Sequence, residues 1–137
     1  MKTSPTQRSL KLLRSQGYLV AIVEHWNSYV KIRQDLWGFA DLLAVRGDDC
    51  LLVQTTSGPN VSARIAKIQA EPKAALWLQS SNRRIVVHGW RKVGARGKRK
   101  LWECREEEIH AVDRASRRGV HQSDPRVDRA EQSLNNL

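Results

Sequence analysis

The sequence predicts an α/β domain in which a mixed central β-sheet is flanked by helices. Three observations carry that expectation. The hydrophobic period changes along the chain in the order helix, three strands, helix, two strands. Two short apolar runs, Leu42 to Val45 and Cys50 to Val53, are separated only by Arg46-Gly47-Asp48-Asp49, which reads as a hairpin. All eight aromatic residues fall before residue 103, so the folded body occupies that part of the chain.

Each element has its own signal. Thr6 to Gln16 sets Leu10, Leu12 and Leu13 among Arg8, Lys11 and Arg14, an amphipathic helix that Gly17 stops. Tyr18 to Val23 is apolar and β-branched, hence a strand, and a polar, aromatic stretch follows from Glu24 to Ala40. The hairpin comes next, with residues 46–49 expected as a four-residue loop. After Ser57-Gly58-Pro59-Asn60, the positions Val61, Ile65 and Ile68 recur at helical spacing, with Arg64 and Lys67 off the stripe. Pro72 starts a second helical piece that runs to Trp77, an expected core residue. Arg84 to His88 and Leu101 to Arg105 read as the last two strands. The body is expected to span 1–107. Residues 108–137 hold no aromatic and balance five bases against five acids, so they are expected to form a charged helix or a disordered tail.

The chain has 137 residues, enough for one domain of ordinary size. Its 24 Lys and Arg against 14 Asp and Glu give a net charge of +10, all of it within the body. Such a surplus points to a polyanionic partner. No apolar run approaches the roughly 20 residues of a membrane span, and the polar stretch from Met1 to Leu10 predicts no secretory leader. Two distant cysteines, Cys50 and Cys104, argue against a disulfide scaffold and a zinc finger, so a cytoplasmic location is expected.

The hairpin places the candidate chemistry. If Val45 faces Cys50, counting outward sets Asp41 opposite Gln54, with Cβ atoms about 4.5–5.5 Å apart. Strand alternation puts Thr56 on the face of Gln54 and turns Thr55 away. Asp41, Gln54 and Thr56 then offer hard oxygen ligands of the type Mg²⁺ or Mn²⁺ prefers. The bland alternatives are a capping Asp41, a solvated or salt-bridged Glu24 and an Asp35 paired with a neighbouring base.

The stretch Gly38-Phe39-Ala40-Asp41-Leu42-Leu43-Ala44-Val45, followed by Leu51-Leu52-Val53-Gln54-Thr55-Thr56, resembles the core of the PD-(D/E)XK nuclease superfamily, more narrowly the archaeal and phage-type Holliday-junction resolvases. The resemblance covers roughly residues 6–90. It implies a restriction-endonuclease-like fold and a divalent-metal-dependent DNA endonuclease acting on branched or structured DNA. Asp41 matches the family's metal-binding Asp. Gln54 stands where an acid is expected and Thr56 where a lysine is expected. Gln54 keeps an oxygen but loses a charge, and Thr56 supplies no cation to the transition state. The resemblance then leaves the missing cation to Lys67 or Arg64 on the following helix, and the missing carboxylate to Glu24 at the end of the first strand, with Asp35 as the weaker option. Resolvase-like action also implies DNA recombination and a homodimer.

Arg83 to Lys100 carries eight bases, and the loop between the last two strands is glycine-containing and basic. Arg91, Lys92, Arg96, Lys98, Arg99 and Lys100, with Arg64, are expected DNA contacts. Lys31 and Arg33, interleaved with Trp26, Tyr29 and Trp37, are expected to line a groove beside the metal patch. Five phosphate contacts would give a slope near −4 to −5 in log K against log salt. The alternative reading from a different class is a nucleic-acid-binding module whose chemistry has decayed. A third is a basic subunit that binds another protein through its tail.

Overall fold

A computed structural model describes residues 3–110. Helix α1 (Pro5–Ser15) starts with Pro at its first turn and with Ser4 Oγ accepting from Gln7 N, which satisfies one orphan donor. Strand β1 (Leu19–Ile22) follows, then the small strands β2 (His25–Asn27) and β3 (Ile32–Gln34), then β4 (Leu42–Arg46) and β5 (Asp49–Ser57). A 3₁₀ turn at Gly58–Asn60 leads into α2 (Val61–Gln69) and α3 (Pro72–Trp77), and β6 (Arg83–Val93) and β7 (Leu101–Ile109) close the body.

Five strands form one mixed sheet in the order β1-β4-β5-β6-β7; only β5 and β6 run parallel. The 3₁₀–α2–α3 segment is their crossover. Alternation along the central strands sorts the core into two layers. Leu42, Ala44, Leu51, Val53 and Val86 pack with Leu10 and Leu13 of α1. Leu52, Ile85, Val87 and Ile109 pack with Val61, Ile68 and Ala74 of α2 and α3. The sheet is therefore covered on both faces, and β5 is buried throughout from Leu51 to Thr56.

The expected fold class holds as an α/β body with a mixed sheet flanked by helices. The hairpin register is as expected, with Val45 opposite Cys50. Its loop is shorter than expected, because Arg46 still pairs with Asp49. Gly47, at φ +58, makes the two-residue turn whose twist matches the strands. β6 runs five residues past His88 and β7 four past Arg105; Ile109 is buried beyond the expected boundary at 107. The expected tail, 108–137, lies outside the described residues from 111 onward. Trp77 is half-buried rather than interior, its ring centroid 6.1 Å from that of Trp37.

One close approach fixes how α2 sits on the sheet. A Cβ at Gly89 would lie 2.2 Å from Val61 Cγ2 and 3.3 Å from Gly58 Cα. Gly89→Ala is expected to cost about 2 kcal/mol by overpacking, read as a lower urea midpoint at unchanged slope.

Candidate metal centre

The topology brings three loops to one end of the sheet. β1 and β4 are antiparallel, as are β4 and β5, so the C-terminal ends of β1 and β5 lie beside the N-terminal end of β4. Asp41 stands there, immediately before β4. Its N–H donates to Val53 O (2.9 Å), and its carbonyl accepts from Val23 N (2.9 Å) and Glu24 N (3.3 Å). The main chain of Asp41 thus draws the end of β1, and with it Glu24, into place. Asp35 arrives by a tight loop closed by bonds between Leu36 and Ala40, with Trp37 and Gly38 both at positive φ.

The outcome is a carboxylate triad: one oxygen from each of Glu24, Asp35 and Asp41 lies within 4.8 Å of the others. Asp41 is only 3% exposed. Its Oδ2 accepts from Thr55 N (2.7 Å), Thr55 Oγ1 (3.0 Å) and Gln54 Nε2 (2.9 Å). Burial, then the neighbouring Asp35 carboxyl, push its carboxyl up to about 8, although the Thr55 N–H pulls the other way. Glu24 also accepts from Arg33 Nη1 at 3.0 Å. Triad member and salt-bridge partner are therefore both roles of this one side chain.

Asp41 and Gln54 stand side by side as the hairpin count requires. Three details differ from expectation. Gln54 presents its amide nitrogen, not its oxygen, to Asp41, because a buried carboxylate attracts the donor end. Thr55, not Thr56, joins the group: β4 stops at Leu42, so the Thr55 N–H lacks the strand partner a longer β4 would offer and takes the Asp41 carboxylate instead. Thr56 is buried and makes no bond to Asp41. Asp35, the weaker carboxylate option, joins the two other acids rather than pairing with a neighbouring base.

The donor set fits a hard divalent cation. Three carboxylates supply oxygen ligands and negative charge. Asp35 lines a cleft of about 710 Å³ together with His25, Arg33, Trp37, Lys67 and the ion pair of Lys73 with Glu71 (4.0 Å). Lys67, from the exposed side of α2, shares that cleft with the triad's outermost member. Arg64 is half-buried on the same helix and does not line it.

The expected DNA contacts fall into distinct groups. β6 continues from Val87, the partner of Gln54, to Val93, so the β6–β7 tip projects roughly 20 Å past the triad's level at about 3.3 Å per residue. Arg96, Lys98, Arg99 and Lys100 on that tip are exposed, with no carboxylate partner among the described residues. Arg91 is bonded to Glu103 (3.4 Å), and the Lys92 ammonium lies over the Trp102 ring (5.4 Å). Lys31 is exposed on the turn between β2 and β3; Arg33 is held by Glu24. Trp37 lines the cleft, whereas Trp26 and Tyr29 stand outside it in solvent. Arg84 is bound to Asp49 and Glu108 at the far end of β5 and β6.

No protein-family model, curated protein or solved structure matches this chain. Among the described residues no helix is long and apolar enough to cross a membrane.

Proposed function

We propose that this chain is a divalent-metal-dependent endonuclease of the PD-(D/E)XK type, with a restriction-endonuclease-like fold, that cuts branched or structured DNA. The observation that carries the reading is the triad of Glu24, Asp35 and Asp41 beside a cleft that Lys67 lines, at the sheet end from which the basic arm projects. The three carboxylates would hold Mg²⁺ or Mn²⁺. The bound ion would polarise a phosphoryl oxygen and lower the pKa of an attacking water.

The remaining groups act by position and charge. Lys67 supplies the cation absent at Thr56 and faces charge developing on the phosphoryl group. Thr55 and Gln54 orient the Asp41 carboxylate. The arm, roughly 20 Å away, would meet backbone about six base pairs from the cut, at about 3.4 Å per pair. Contacts of this kind position a duplex without reading its sequence, which suits a structure-selective enzyme. Two copies would place symmetrical cuts in a junction. Two free thiols, Cys50 and Cys104, suit a reducing cytoplasm of a bacterial, archaeal or phage-infected cell.

A second reading, a DNA-binding module without chemistry, is favoured by the neutral Gln54 and Thr56. Incubation with a four-way junction, linear duplex and single strand, in Mg²⁺, Mn²⁺ or EDTA, separates the two. Metal-dependent cutting of the junction supports the nuclease; tight binding without cutting under every metal selects the module. Replacing Arg96, Lys98, Arg99 and Lys100 with alanine is expected to flatten the salt slope of binding by about 3 to 4. An unchanged slope removes the arm from the interface.

A further inference from the structure

We propose that the β2–β3 hairpin is a stacking wedge that takes up unpaired bases at the mouth of the cleft. The inference rests on the reading that this chain binds DNA, and it names the feature of the DNA that the site would select.

The hairpin projects from the sheet end that carries the triad, since it follows β1 and leads through Asp35 back to β4. Its large side chains are not used by the fold. Tyr29 is 97% exposed, Trp26 59%, Val30 57% and Ile32 51%, and all four stand on a ribbon nine residues long between His25 and Arg33. Apolar area of this kind, left in water on so short a segment, marks a contact surface.

Shape and charge identify the occupant. From His25 to Gln34 the segment contains Lys31 and Arg33 and no acid. Trp26 lies directly opposite Arg33 across the ladder, and the Arg33 guanidinium at the edge of the cleft is held by Glu24. His25 and Arg33 line that cleft, so the ribbon and the triad share one opening. A second copy paired through this face would set its own Lys31 and Arg33 against these cations, which opposes pairing here. An apolar protein groove would leave the exposed Lys31 ammonium without a partner. A nucleic-acid strand satisfies both halves, with phosphates for the cations and π-faces for the rings.

The tip is also preorganised. Asn27 Oδ1 accepts from Tyr29 N (3.0 Å) and Val30 N (3.3 Å), and Asn27 Nδ2 donates to Gln34 Oε1 (3.3 Å). Tyr29 is therefore presented on a stiffened turn, which reduces the ordering cost of stacking. Fully paired duplex hides its base faces, so the wedge discriminates for junction centres, bulges and single strands.

The experiment measures binding in EDTA by anisotropy, with labelled duplex, the same duplex carrying an unpaired bulge, and single strand. Tyr29→Ala is expected to weaken binding to bulge and single strand by roughly 5- to 150-fold, the range of one lost base stack, with duplex affinity within about two-fold of wild type. Tyr29→Phe, which keeps the ring, restores the affinity. The side chain touches almost nothing, so the fold is unaffected. Equal losses on all three DNAs, or no loss on any, overturn the wedge. A change in sedimentation or in binding to anionic vesicles, with DNA affinity unmoved, assigns the surface to a second copy or to lipid and also overturns it. Because no metal is present, absence of cutting elsewhere sinks only the nuclease reading, while loss of discrimination here sinks only the wedge.

Discussion

Asp41→Asn is expected to lower metal-dependent cutting roughly a thousand-fold, the equivalent of about 4 kcal/mol of transition-state stabilisation, while making the protein more stable at neutral pH. The two effects share one cause. Asp41 is almost fully buried beside two other carboxylates, which raises its carboxyl from 3.8 to about 8. In the unfolded chain it ionises near its ordinary value. Between those two pH values the folded state holds a proton that the unfolded state has released, so stability falls as pH rises through that window. The slope approaches about 1.4 kcal/mol per pH unit and flattens above pH 8. Asparagine has no proton to lose, so the slope disappears and the variant gains most over wild type near pH 8. Urea titrations at pH 5, 6.5 and 8 read this directly. A wild-type stability that is flat over that range contradicts the buried-triad account.

Divalent metal adds a readout independent of cutting. An ion held by the triad favours ionised carboxylates, so Mg²⁺ or Mn²⁺ should stabilise wild type more at pH 8 than at pH 6 and leave Asp41→Asn almost unmoved. Retained DNA affinity in the variant would separate loss of chemistry from loss of binding.

What could be read from residues alone follows from the range of the interactions concerned. Strand alternation and hairpin closure are local, so the Val45–Cys50 register and the Asp41–Gln54 opposition were accessible by counting. The switch from Thr56 to Thr55 was not, because it depends on β4 ending at Leu42 and leaving an N–H to satisfy. The β2–β3 hairpin carries no apolar alternation and buries no strand face, so its ten-residue segment gave no period. Asp35 enters the triad through a loop with Trp37 at φ +56, a conformation that residue type does not announce. β6 and β7 outrun their apolar pattern because an exposed, charged ribbon is stabilised by pairing rather than burial. For Asp35, a Gly following an acid and an aromatic just before the Asp41 motif was the available signal of a tight return.

The least legible feature yields the second large effect. Ser9→Ala is expected to cost about 3 kcal/mol, because Ser9 joins residues some 80 positions away on the opposite face of the sheet from the Leu52–Val87 layer. Ser9 is wholly buried on α1; its Oγ accepts from Trp90 Nε1 (2.8 Å) and lies 2.9 Å from His88 Nδ1. The Glu106 carboxylate only accepts, so a neutral His88 carries its proton on Nε2 and its Nδ1 accepts from the Ser9 hydroxyl. His88 Nε2 then donates to Glu106 Oε1 at 3.1 Å. That assignment follows from the network. One small hydroxyl thus ties α1 to both strands of the basic arm. Alanine leaves the Trp90 N–H and the buried His88 Nδ1 unpaired, and each costs about 1–3 kcal/mol when unsatisfied. A double-mutant cycle with Trp90→Phe is expected to recover about 1 kcal/mol, since the phenyl ring makes no demand on the missing oxygen. Strict additivity would mean that Ser9 acts by packing alone. Cutting by the folded fraction of Ser9→Ala should persist at low temperature, because the network touches none of the three triad carboxylates.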